Sequence, residues 1–129
     1  MNVTGKDEFE VAPGHQQAAL DWVVQMERRY HEDGLRIREY PGPASGHGFF
    51  GFDESVLGLL DPLSGQIHIF YSEEQNLASR AEELAHYFQY KAQGWIGRTE
   101  EQIGADVIDA NEREIMQVLQ ANGFRRKRS

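Results

Sequence analysis

The chain has 129 residues, 40% hydrophobic and 26% charged, with a formal net charge of −8 and no cysteine. That length suits one domain with a single core, and the composition is that of an ordinary globular protein rather than a disordered one. The acidic balance counts against a nucleic-acid binder, whose affinity comes from clustered Lys and Arg, and the missing thiols exclude disulfide scaffolds, Cys nucleophiles and Cys-ligated zinc. No stretch approaches the ~18 apolar residues of a membrane span, and the N-terminus lacks the apolar core of a signal peptide.

Residues 1–13 are polar apart from Phe9 and Val11 and read as an arm or short strand. From Gly14 the pattern turns helical: Ala18, Ala19, Trp22, Val23, Met26 and Tyr30 recur at helical spacing, and Gly34 is the stop. Residues 35–40 alternate apolar and charged, as in a strand with one wet face. A loop rich in Gly and Pro follows, holding His47, and then Phe49, Phe50 and Phe52, which are expected to plug the core or line a cleft. Residues 56–60 and 66–71 read as two strands joined by the turn Asp61-Pro62-Leu63-Ser64-Gly65, a hairpin.

A second helix is expected from about Ser79 to Gln93, capped by Asn76 or Ser79 and ended by Gly94. Thr99-Glu100-Glu101-Gln102 has the form of a capping box and opens a last helix, expected as one piece to Asn122 with Gly123 closing it. Its apolar stripe is Val107, Ile108, Ile115, Val118 and Leu119, with Asn111 in the middle. The basic residues 125–128 read as a frayed tail. The whole is an α+β domain: an N-terminal helix, a small mostly antiparallel sheet and two long C-terminal helices.

The chemistry concentrates on the second helix, in Glu82-Glu83-Leu84-Ala85-His86-Tyr87-Phe88-Gln89. Glu82 and His86 are one turn apart and project from the same side, while Glu83 falls between that stripe and solvent. Two ligand-competent side chains at this spacing can grip a metal, as the histidines of H-E-x-x-H do, and a carboxylate can take the place of one histidine. A solvated ion pair on a helix face is the plain alternative. A third ligand has to come from another element, and the last helix carries the acids Asp106, Asp109, Glu112 and Glu114.

The E-E-x-x-H-x-x-Q run, followed by Asp109-Ala110, resembles the zincin-like metallopeptidase domains found at the C-termini of bacterial polymorphic toxins. The resemblance covers about residues 66–124. It implies a minimal zincin-like fold and makes Glu83 the general base, with His86, Glu82 and Asp109 as ligands to a divalent metal. Zinc is the first choice; manganese suits a carboxylate-rich set. Helical periodicity favours Glu114 or Glu112 over Asp109 for the third position, and the two arguments leave it open. The implied reaction is metal-assisted peptide hydrolysis, with Glu83 taking the proton of the attacking water. The resemblance further implies a larger secreted bacterial toxin acting in the target-cell cytoplasm, a protein substrate there, and a cognate immunity protein.

Two other classes stand beside this one. A degenerate fold of the same kind serves as a binding module without catalysis. A metal-independent nuclease toxin uses His47, His68 or His86 with a carboxylate, chemistry that leaves no spacing signature. The E-x-x-H half-motif of di-iron proteins lacks its required second copy here.

Overall fold

The computed structural model describes residues 3–6, 8–72 and 77–127, with the backbone alone for 3–6. The elements in chain order are β1 (Val3–Lys6), β2 (Phe9–Val11), α1 (Gln16–Glu32), β3 (Arg38–Tyr40), a 3-10 turn at Ala44–His47, β4 (Val56–Asp61), β5 (Gln66–Phe70), α2 (Leu77–Gln93), α3 (Glu100–Ile103), α4 (Ala105–Ala121) and β6 (Phe124–Arg126). The α+β class is as the sequence predicts. A four-stranded sheet has the order β1-β4-β5-β3, and β2 and β6 form a separate two-stranded antiparallel ribbon. The pairs β1–β4 and β4–β5 are antiparallel, and only β3 runs parallel to its neighbour, β5.

Strand alternation sends the two faces of the sheet to two apolar clusters. Leu60, Ile67 and Ile69 face α2 and join Val23, Tyr30, Leu84, Ile115 and Leu119 in the main core. Leu59 and Phe70 face the other way, into a smaller cluster with Ala44. Gly5 pairs with Gly58 but Lys6 pairs with Val56, so β4 carries an extra residue there. That bulge turns Val56 onto the second face, where it joins Leu59. Phe49 and Phe52 pack against this cluster as expected. Phe50 does not: it is 82% exposed.

The hairpin is confirmed and its turn is held by side chains. Asp61 Oδ1 accepts from Leu63 N at 3.0 Å, Asp61 Oδ2 accepts from Ser64 Oγ at 3.1 Å, and Gly65 closes the turn at φ 81°. Tyr30 of α1 reaches this turn. Its hydroxyl donates to Gly65 O at 2.7 Å and accepts from Ile67 N at 2.8 Å, all buried. Asp33, at the end of α1, accepts from Tyr87 OH and Lys91 Nζ of α2, each at 2.7 Å. These bonds fix α2 between α1 and the sheet.

Four expectations change. The last helix is broken at Gly104, whose φ of 102° and ψ of 132° no helix continues through. The capping box is present on the short α3: Thr99 Oγ1 accepts from Gln102 N at 3.3 Å, and Thr99 N donates to Gln102 Oε1 at 2.9 Å. Within α4, Val107, expected in the buried stripe, is exposed, while Asn111 in the middle of that stripe is buried as expected. The terminal segments are less loose than expected. The arm forms β1 and β2, and Arg125 and Arg126 lie in β6, where Arg125 pairs with Glu10. Ser79 lies within α2 and does not cap it, and Asn76 and Arg128 lie outside the described residues.

Tyr30→Phe should cost about 2–3 kcal/mol, because the Ile67 N–H and Gly65 C=O are left buried without partners. Urea unfolding of the two proteins measures this, and a loss under about 0.5 kcal/mol would mean that the hydroxyl is replaceable.

Candidate functional site

α2 is enclosed on nearly every side. It packs against α1, α4, the sheet and β2, and residues 81–87 are all buried. Its apolar spacing predicts one buried face, yet its polar stripe is inside as well. Glu82 is 6% exposed, Glu83 0% and His86 1%. Glu83 therefore does not lie toward solvent, as the sequence suggests. It faces β4 and rests against Gly58, where a side chain would overlap it.

Among the described residues, the buried side-chain atoms without a hydrogen-bond partner are Glu83 Oε1 and Oε2, His86 Nδ1, Tyr90 OH and Asn111 Oδ1. All of them lie on α2 or α4. Buried polar groups are nearly always bonded, so such a concentration marks a place where something other than core packing has been selected. His86 Nε2 stands 3.9 Å from Glu112 Oε1. The ring of Tyr90, one turn beyond His86, meets the imidazole edge-on at 6.4 Å.

Electrostatics follow from this burial. Glu82 is pushed up to about 8, by burial first and then by the charges of Glu8 and Glu112, with Arg126 opposing them. Glu83 is held well above the usual carboxylate range, by burial first and then by the charges of Glu82 and Glu112. Burial also brings His86 down to about 4. His86 is therefore neutral near pH 7, and its 3.9 Å approach to Glu112 is neither an ion pair nor a hydrogen bond. Glu112 is raised less securely, since its side chain is 53% exposed and solvent screens it.

The structure brings Glu82, Glu83, His86 and Glu112 into one neighbourhood. Asp109 lies elsewhere, exposed at the wall of a cavity of about 360 Å³ beside Glu100, Glu101 and Ile108, and Glu114 is exposed. A larger cavity of about 800 Å³ lies between α1, β3 and the start of α2, lined by Val24, Glu39 and Arg80 rather than by the motif. His68 belongs to the second cluster, where its Nδ1 is bonded to Tyr40 OH at 2.9 Å. His47 donates to Pro41 O and stacks near Tyr40. Neither joins His86.

Sequence reasoning missed Glu8, Gly58, Tyr90 and Arg126. Tyr90 could have been found, because it is one helical turn past His86. Gly58 and Arg126 come from strands and Glu8 from the link before β2, and none of them carries a local signal.

Charge and donor type in this neighbourhood fit a divalent cation. Two carboxylates and an imidazole suit zinc or manganese, and carboxylates this deep need a proton or a cation. Only part of a coordination shell stands ready: among the described residues no three His, Cys, Asp or Glu side chains converge closely enough to hold an ion. Fold and site together define an α+β domain with a buried carboxylate–histidine centre, and no helix among the described residues is long and apolar enough to cross a membrane. The chain matches no protein-family model, no curated protein and no solved structure.

The metal-free protein should lose stability as pH rises from 6.5 to 8. Over that range folded Glu82 and Glu83 keep protons that the unfolded chain, with carboxyls near 4.5, has released. The slope is up to roughly 1.4 kcal/mol per pH unit for each proton. His86 opposes this at the lower end of the range, where the unfolded imidazole is still partly protonated, and hardly at all by pH 8. Below 6.5 it acts in the opposite sense, because the unfolded imidazole binds a proton that the folded one, at about 4, refuses. Urea midpoints across this range measure the effect, and a profile that rises from 6.5 to 8 would mean that both carboxyls are ionised in the fold.

Proposed function

We propose that this chain is a metal-dependent hydrolase acting on peptide bonds, the toxic effector domain of a larger secreted bacterial protein. The reading rests on one observation above the others. Glu83 is wholly buried, both of its oxygens lack partners among the described residues, and it adjoins a histidine and two further carboxylates. An inert core gains nothing from such a group, since an unpartnered buried carboxylate costs several kcal/mol. The peptidase and toxin parts come from the E-E-x-x-H-x-x-Q run, as do a protein substrate in the target cell and a cognate immunity protein.

In this reading Glu82, His86 and Glu112 hold the cation, with Glu112 taking the part that the motif assigns to Asp109. A bound divalent cation supplies Lewis acidity toward a peptide carbonyl. Glu83 takes a proton from the attacking water and returns it to the leaving amine. Burial holds a proton on this carboxyl, so Glu83 must release it before it can act as a base, and a cation bound beside it would favour that release. Tyr90 OH, buried and unpartnered beside the imidazole, is a donor in reserve. Water must reach a carboxyl that is now 0% exposed, so the mechanism requires the cluster to open during turnover.

A second reading, a non-catalytic binding module, is favoured by the closed cluster and by the absence of three converged donors among the described residues. Metal content separates the two. Zinc or manganese retained in a fixed ratio, and removed by chelator without unfolding, supports the hydrolase, because the apolar core needs no metal. Affinity should rise with pH as Glu82 releases its proton. Protein that takes up neither ion supports the binding module.

The variants have distinct signatures. Glu83→Gln should keep fold and metal while losing on the order of 10²–10⁴ in hydrolysis rate. His86→Ala should lose metal and activity together. Glu112→Ala should weaken metal binding, whereas Asp109→Ala should leave it unchanged. Metal analysis with a proteolysis assay reads all four, and full activity in Glu83→Gln would end this mechanism.

A further inference from the structure

Glu83 owes its place to a residue that is not there. β4 turns Gly58 toward α2, on the face that also carries Leu60. A Cβ at position 58 would lie 2.6 Å from Glu83 Oε2, 2.8 Å from its Cγ and 3.0 Å from its Cδ. Those separations are well inside van der Waals contact, and three consecutive atoms of one side chain would have to move. Gly58 is not among the residues of positive φ, so its backbone is one that any residue adopts. Space alone calls for glycine here. The residue paired with Gly58 on β1 is also a glycine, Gly5. Across these two strands the row has no side chains, leaving room against the backbone where Glu83 enters.

We infer that Gly58 is a positioning residue: by presenting no side chain, it sets the depth at which the Glu83 carboxyl rests on β4, and so its separation from Glu82 and His86. A glycine within a strand weakens that strand, which makes its use at a fully buried position informative. An alanine would push the carboxyl back along α2. Because Glu83 is enclosed, the displaced group has no solvent to enter and must disturb its neighbours. The catalytic consequence rests on the hydrolase reading above; the pairing of Gly58 with Glu83 does not.

The test is a cycle of four full-length proteins: the native chain, Gly58→Ala, Glu83→Ala and the double variant. Thermal unfolding is measured first. Gly58→Ala should lower the midpoint clearly in the native background and little or not at all in the Glu83→Ala background, where the space is vacant. Equal losses in the two backgrounds would overturn the inference, as would a native midpoint in the single variant. If Gly58→Ala alone fails to fold, a folded double variant supports the pairing and an unfolded one refutes it. Zinc binding, titrated with zinc chloride, and hydrolysis of fluorescein-labelled casein are measured next. At saturating zinc, Gly58→Ala should keep the native KM but lose kcat on the order of 10²-fold, the scale of an ångström-level misplacement. Unchanged kcat would remove the positioning role. If the native chain neither binds zinc nor cleaves casein, the hydrolase reading fails, and the unfolding cycle by itself decides whether Gly58 holds Glu83.

Discussion

The constraint on which the rest of the structure depends is the enclosure of α2. A helix packed on nearly every side leaves its middle turns no wet face, so an ionisable group buried there must be neutralised where it stands. Glu82, Glu83 and His86 occupy two such turns. Near pH 7 the imidazole is neutral and the carboxyls are held by their surroundings toward protonation. The stability that offsets this comes from elsewhere. Each fully buried large apolar side chain contributes about 1.5–3 kcal/mol, and the main core holds enough of them on α1, β4, β5 and α4 to carry one strained polar centre.

The ribbon of β2 and β6 gives this centre its second layer. It joins the two ends of the chain, with Phe9 opposite Arg126 and Val11 opposite Phe124. Arg125 pairs with Glu10 and is thereby occupied, which leaves Arg126 as the cation that eases the charge on Glu82 and Glu112. Glu8, just ahead of β2, acts in the opposite direction on the same two residues. The balance is on the acidic side. A cation arriving from solvent meets a favourable field, which is screened by salt within about 10 Å at 0.1 M.

The other face of the sheet shows what an ordinary structural histidine looks like in this protein. His68 is buried too, but Tyr40 bonds its Nδ1 and its ring packs against Tyr40 and Phe49. Tyr40, Phe49 and Phe70 complete an aromatic group over the second cluster. His86 has a neighbouring ring, but among the described residues its Nδ1 has no partner and no carboxylate comes within hydrogen-bonding distance of its Nε2. Both histidines are buried, and among the described residues only His68 has its Nδ1 bonded.

Local chemistry in the sequence determined much of this protein: the extents of α1 and α2, the β4–β5 hairpin with its Asp61–Gly65 turn, the capping box at Thr99, and the adjacency of Glu82 and His86. Each depends on residues within a few positions of one another, so one sequence suffices to read it. Tertiary structure decided the rest. Periodicity says which residues share a helix face, but not what that face meets, so the burial of Glu83 against Gly58 could not be read from α2 alone. The φ of Gly104 broke the last helix, and the packing of α4 against α2, which periodicity does not specify, left Glu112 beside His86. The pairing of Phe9–Val11 with Phe124–Arg126 spans nearly the whole chain, and short strands so far apart hold no signal of each other until the core between them has formed.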